Sequence, residues 1–451
     1  MRRGLLCLGV ILVAGFSFSV AAVKQPAANT AAERGRKALY ERCFSPPILP
    51  VKAYENAWKQ WGLKEKPADY DRLFRERYGL ATPPYANDGL PMGLRVGKGP
   101  LGKGLSNDCL LCHAGSIAGE TVIGLGNASV DFQSLSDDLA AGVGVKNFLP
   151  FTGSHVRGTI EAEAAVLYLM QFRDADLNVQ LPITLSYRTN LCQDIPPWWH
   201  LKKKKTMFHT GTVDTRSIRA NMPFLLSPLN SGEFIKKQEP VFRDIRAFLL
   251  TLEPPRYPFA VDQARAARGK KLFVQNCAKC HGTYGPNGKY PNKVVALDVI
   301  GTDASLFKGY SSESWAHYRK SWFNQERGPD GKPYWKEEDP GYQAPPLDGV
   351  WATAPYFHNG SVPTVYHVLN SKARPKIYTR SYRTGKKDYD SAKLGWKITV
   401  LPKPADPKLP AFERRKIYDT TQPGRGNGGH TFGDKLTEAE RLAVIEYLKT
   451  L

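Results

Sequence analysis

Apolar residues fall at helical spacing in Val241-Phe242-Arg243-Asp244-Ile245-Arg246-Ala247-Phe248-Leu249-Leu250, which predicts an amphipathic helix with one buried face. A second such helix closes the chain. Thr437-Glu438-Ala439-Glu440 reads as a capping box, and Leu442, Val444, Ile445, Tyr447 and Leu448 follow it. A third, Ala164 to Phe172, is apolar almost throughout and reads as core. Strand-like pieces such as Thr121-Val122-Ile123 are few. Gly and Pro dominate 83–104 and 325–363, which predicts long loops; such loops are commonly functional or wrap a ligand. Thr251-Leu252-Glu253-Pro254-Pro255-Arg256-Tyr257-Pro258 breaks the pattern directly after the first helix. The 451 residues therefore divide into 23–250, a Pro-rich linker at 251–262, and 263–451. Each half ends on an amphipathic helix, a weak internal repeat.

Residues 1–22 read as a signal peptide. Arg2 and Arg3 precede an apolar stretch from Leu5 to Val20, and small residues at Ser19-Val20-Ala21-Ala22 suit cleavage. The apolar run is short of the roughly 20 residues a membrane span needs, and no later segment supplies one. The expectation is an exported, periplasmic protein with no membrane span.

Two copies of Cys-x-x-Cys-His give that compartment a chemistry: Cys109-Leu110-Leu111-Cys112-His113 and Cys277-Ala278-Lys279-Cys280-His281. On a helical turn, positions i, i+3 and i+4 share one face, so both thiols and the imidazole meet the same group. The pattern is the attachment signature of c-type haem, the thiols forming thioethers and the His ligating iron. Zinc is the alternative, but it wants a fourth ligand and different partners. Two covalently bound haem c groups are expected, on Cys109, Cys112 and His113 and on Cys277, Cys280 and His281. Of the other cysteines, Cys43 and Cys192 follow the signal segment and are free to pair in an oxidising compartment.

The net charge of +21 falls by two when Arg2 and Arg3 leave. A basic surface suits acidic partners or anionic substrates. Lys202-Lys203-Lys204-Lys205 is its sharpest patch and reads as a solvated loop; nothing resembles a nucleic-acid module. Arg34-Gly35-Arg36-Lys37 stands before Cys43 as Arg268-Gly269-Lys270-Lys271 stands before Cys277. Cys43 has no second Cys or His behind it, so the echo reads as a helix with a common basic start.

No methionine lies beyond Met222, so the second haem has no axial Met in its own half. His317, His358, His367 and His430 remain as local ligands. His317 and His430 read as core or surface, and His367 falls in a helical run. His358 stands in Ala354-Pro355-Tyr356-Phe357-His358-Asn359-Gly360-Ser361-Val362-Pro363, where bounding Pro and Gly can aim a side chain over a haem face. It is the candidate sixth ligand. If His358 fills the second haem, the first is the reactive one. Its distal candidates are His155, Met170, His200, Met207, His209 and Met222. Glu161 and Glu163 are possible acid–base groups, with a solvated helix start as the blander account. Trp198 and Trp199 could relay electrons or simply pack.

Four segments make the chain similar to the di-haem cytochrome c peroxidase superfamily, including methylamine-dehydrogenase maturation enzymes and bacterial rubber oxygenases. They are Asn87-Asp88-Gly89-Leu90-Pro91-Met92-Gly93-Leu94-Arg95, the first motif with Ala114-Gly115-Ser116-Ile117, the second with Gly282-Thr283-Tyr284-Gly285, and Leu347-Asp348-Gly349-Val350-Trp351 through to Pro363. The last looks closest to the rubber-oxygenase branch. The resemblance implies a mainly α fold of two tandem cytochrome c-like domains with long covering loops, and His358 as distal ligand of the second haem. It also implies a calcium between the domains, without placing its ligands. The activity expected is peroxide reduction at the N-terminal haem, with electrons entering at the C-terminal haem from a small cytochrome c or cupredoxin. A dioxygen-dependent oxygenase and a non-catalytic electron carrier are the alternatives.

Overall fold

The structure is a computed structural model that describes residues 30–99, 102–147, 152–185, 191–308, 311–336 and 340–451. The proposed signal peptide, 1–22, lies outside the described residues. The predicted helices form at Ala162–Met170, Glu239–Leu249 and Glu438–Leu448, the last with the full Thr437/Glu440 capping box.

Two helix pairs organise the chain. The opening helix Ala31–Glu41 crosses Glu239–Leu249, and Gln263–Asn276 crosses Glu438–Leu448. Each crossing is made at a glycine. A Cβ on Gly35 would lie 1.9 Å from the Asp244 carbonyl oxygen, and one on Gly269 would lie 1.8 Å from that of Ala443. The repeated Arg-Gly-basic sequence is therefore a helix-crossing signature rather than merely a basic helix start. Gly269→Ala is expected to destabilise the protein by about 1–3 kcal/mol, because the backbone clash outweighs alanine's roughly 1 kcal/mol helix preference. Urea unfolding checks this; a midpoint unchanged or raised would show that the crossing tolerates a methyl.

The fold is not mainly α. Among the described residues 36% are helical and 13% are in small sheets, a mixed α/β arrangement with loops. Part of the stretch read as loop, 83–104, contributes to an antiparallel hairpin, Leu94–Gly99 with Gly102–Asn107, whose Leu94 and Leu105 are buried. Ala114–Ile117 pairs with Glu120–Ile123, and Thr399–Val400, Ile377–Thr379 and Ile417–Asp419 form a three-stranded sheet. Glycine-rich sequence does not exclude such strands where a turn brings apolar residues onto one face.

Nor are there two separate tandem cores. One apolar cluster joins Leu39, Phe242 and Ile245 to Leu306, Tyr318 and Phe323; another joins Ile117, Leu125 and Trp199 to Phe273, Trp351 and Val444. The Arg415–Asp131 ion pair, 3.0 Å and nearly buried, ties the sequence halves at a further point.

Candidate functional site

Both Cys-x-x-Cys-His segments open onto one cavity of about 1230 Å³. Ordinary ligand sites reach about 1,000 Å³, so there is room for more than one ligand-sized group. Cys109, Cys112, His113, Cys277, Cys280 and His281 all line it.

The first motif sits on a platform built by 87–95. Asn87 Nδ2 donates to the Leu90, Pro91 and Leu94 carbonyls, and Gly93 (φ +87°) lets the chain pass Leu111, whose Cα would meet a Cβ at 2.2 Å. Buried Arg95 pairs with Asp108 at 2.6 Å, while Asp108 Oδ1 accepts the Leu110 amide at the start of the short helix Leu110–His113. His113 stacks on Trp198, centroids 4.4 Å apart at 18°. Burial brings its imidazole down to about 4, so it is neutral, the form that ligates metal.

The second motif begins at Cys277, which ends the helix Gln263–Asn276. His281 Nδ1 lies 2.9 Å from the Pro345 carbonyl, an arrangement that orients metal-ligating histidines and leaves Nε2 for the metal. The ring of His430 lies near it, centroids 6.2 Å apart at 59°. His281 and His430 would be the pair to hold one metal between them. Burial lowers His430 to about 4. Its loop is pinned: the His430 amide donates to Ile300, and Arg374 donates to the carbonyls of Asn427, Gly429 and His430.

His358 lines the same cavity, but its ring neighbours are Tyr342 and His209 rather than His281. Its loop is rigid, with Asn359 Nδ2 and Ser361 Oγ both bonded to the Gly426 carbonyl. The ring stacks on Tyr342 at 3.9 Å and lies 6.4 Å from His209. The geometry against His281 thus belongs to His430, the histidine that sequence read as core or surface. Its only signal was a Gly-rich tail able to fold back. No second imidazole stands to His113 as His430 stands to His281 among the described residues; Trp198 is too close for an atom between.

The other candidates separate cleanly. His317 Nε2 meets the Met170 and Arg173 carbonyls, and His367 Nδ1 meets Thr364 Oγ1 at 2.7 Å. Met170 and Met222 are core, while Met207, His200 and His209 line the cavity, the two imidazoles bonded to the carbonyls of Asp348 and Asp194. His155 is engaged by Glu161 at 3.0 Å and does not line the cavity, although Glu161 does. Glu163 lines it too, and burial pushes its carboxyl up to about 7 despite a bond to Gln193. Asp194 is raised well above the usual carboxylate range, also by burial.

These residues fit haem better than zinc. A zinc site needs three or four gathered His, Cys, Asp or Glu ligands. No group of three or more His, Cys, Asp or Glu gathers to hold a metal ion among the described residues, so nothing places a calcium. Cys43 and Cys192 are both free and do not pair. No described helix is long and apolar enough to cross a membrane.

Residues 341–379 match the family described as RoxA-like, cytochrome c-like. The chain is 33% identical to the uncharacterised protein y4iM of Sinorhizobium fredii (strain NBRC 101917 / NGR234) over 302 residues, 57% of this chain and 64% of that one. It is 28% identical to the uncharacterised protein y4iJ of the same organism over 262 residues, 44% of this chain and 41% of that one. The chain thus spans less than two thirds of each. The segment that carries His358 is cytochrome c-like, which implies haem c.

Proposed function

We propose that the chain is an exported, periplasmic di-haem c-type cytochrome that reduces hydrogen peroxide. The observation that carries the reading is the inequality of two motifs lining one cavity: His281 has a second imidazole near it, and His113 does not. Cys109, Cys112 and His113 would hold the reactive haem. Cys277, Cys280, His281 and His430 would hold the relay haem, His430 replacing His358 as sixth ligand. When bound, the haems supply electron transfer and cleavage of the oxygen–oxygen bond. Two electrons and two protons convert one peroxide to two waters, the electrons arriving from a small cytochrome c or cupredoxin that docks on the basic surface.

The chain's own contribution is positioning and proton supply. Glu163 holds a proton near neutrality inside the cavity. Trp198 stacks on His113 while its neighbours Trp199 and His200 bond the Asp348 carbonyl, beside the Pro345 turn that orients His281. That run of contacts joins the motifs through the protein.

Apolar cavity walls, with Phe172, Leu225 and Leu249 among them, and the RoxA-like match favour a second reading, oxidative cleavage of an apolar alkene by dioxygen. Haem-loaded protein with a reduced donor protein is expected to consume hydrogen peroxide anaerobically. No consumption removes the peroxidase reading, and cleavage of an unsaturated hydrocarbon under dioxygen supports the oxygenase. Two low-spin haems with neither activity leave a carrier.

A further inference from the structure

The lysine run 202–205 does not behave as one solvated patch. Lys202 pairs with Glu253 at 2.5 Å and Lys203 with Asp348 at 2.6 Å. Lys204 instead turns into the cavity wall. Its ammonium has one long contact, 3.4 Å to the Phe208 carbonyl, and no carboxylate pairs with it among the described residues. Burial alone, with no compensating charge, brings it down to about 7. Half-buried on an apolar wall without a carboxylate beside it, such a cation is best kept where something pairs it. Of the other wall cations, Arg173 donates to the Leu177, Ser227 and Asn230 carbonyls and Arg246 to that of Thr215, while Lys279 is exposed and Lys293 half-buried.

Each haem brings two propionate carboxylates into whatever space it fills, and these need cations where the wall is apolar. We propose that Lys204 is the counter-ion of a haem propionate, holding that carboxylate ionised inside the shared cavity. The proposal rests on the haem reading above. It places the lysine near His200 and His209, on the cavity that both motifs line.

The test compares haem-loaded wild type, Lys204→Met and Lys204→Arg by haem content, potentiometric titration and redox-difference infrared spectra. Lys204→Met should retain two haems per chain. Loss of the nearby positive charge should favour the oxidised form of one haem about tenfold, which is about 59 mV for one electron. That haem's potential should also gain a slope with pH where the unpaired propionate takes up its proton, with a protonated propionic-acid band absent from wild type. Lys204→Arg should match wild type. Lys204→Gln replaces the Met variant if the latter does not accumulate with haem, and must show the same displacement. Two haems with potentials, slopes and infrared bands unchanged would overturn the proposal. Wild type without covalent haem would instead bring down the haem reading itself, a result the haem assay separates from the first.

Discussion

Replacing His430 by alanine is expected to abolish the low-spin ferric signal of the haem at Cys277 and Cys280, whereas His358→Ala leaves it in place. The reason is geometric. His430 stands 6.2 Å from His281, while His358 is stacked face to face on Tyr342. An imidazole held flat against a phenol ring is poorly placed to reach across to His281's cofactor. The tail loop should survive the substitution, because the Ile300 and Arg374 bonds are to its backbone rather than to the ring. Low-temperature electron paramagnetic resonance on both variants reads the result, and added imidazole should restore the low-spin signal in His430→Ala by entering the vacated position. A signal that persists in His430→Ala, or disappears in His358→Ala, reverses the assignment. The same change should make the second haem bind cyanide, which the intact protein excludes there.

What could be read from sequence was what local spacing encodes. Cys-x-x-Cys-His fixes three side chains on one helical face, so Cys109 to His113 and Cys277 to His281 were legible without a fold. The capping box at Thr437 was legible for the same reason. Absence of methionine beyond 222 narrowed the second haem's proposed sixth ligand to a short set that contains both His358 and His430. Choosing within that set required long-range information. Pro and Gly around His358 do announce a rigid loop, but rigidity does not say where the ring points; Tyr342, arriving on a distant strand, decides it. Gly35 and Gly269 were visible as an echo, yet their meaning lies in Asp244 and Ala443, which no local window contains. Separate tandem cores failed for a related reason: Trp199 and Tyr318 bury themselves across the proposed boundary, and burial across a boundary has no sequence period. Lys204 was hidden by its neighbours, since a run of like charges looks solvated and only the backbone turn sends one member inward.

Glu163→Gln is expected to lower peroxide turnover by about 10²–10⁴-fold, the range for loss of a positioned acid–base group. Gln keeps the shape and the neighbour Gln193 but carries no transferable proton. Because burial raises the Glu163 carboxyl to about 7, the wild type should be most active below that pH and lose rate as pH rises through it. Glu163→Gln should lose that limb of the profile, a change that a merely structural role would not produce. The same shift makes a separate stability prediction. The folded carboxyl holds its proton more tightly than the unfolded one, so its contribution is fully present below the ordinary glutamate range and is lost as pH rises through about 7. The variant should therefore be less sensitive to pH across that interval in urea unfolding. His155→Ala, by contrast, should leave the pH limb where it is, since His155 is tied to Glu161 and does not line the cavity. Wild-type pH dependence retained in Glu163→Gln, or abolished in His155→Ala, would move proton delivery back to the His155–Glu161 pair.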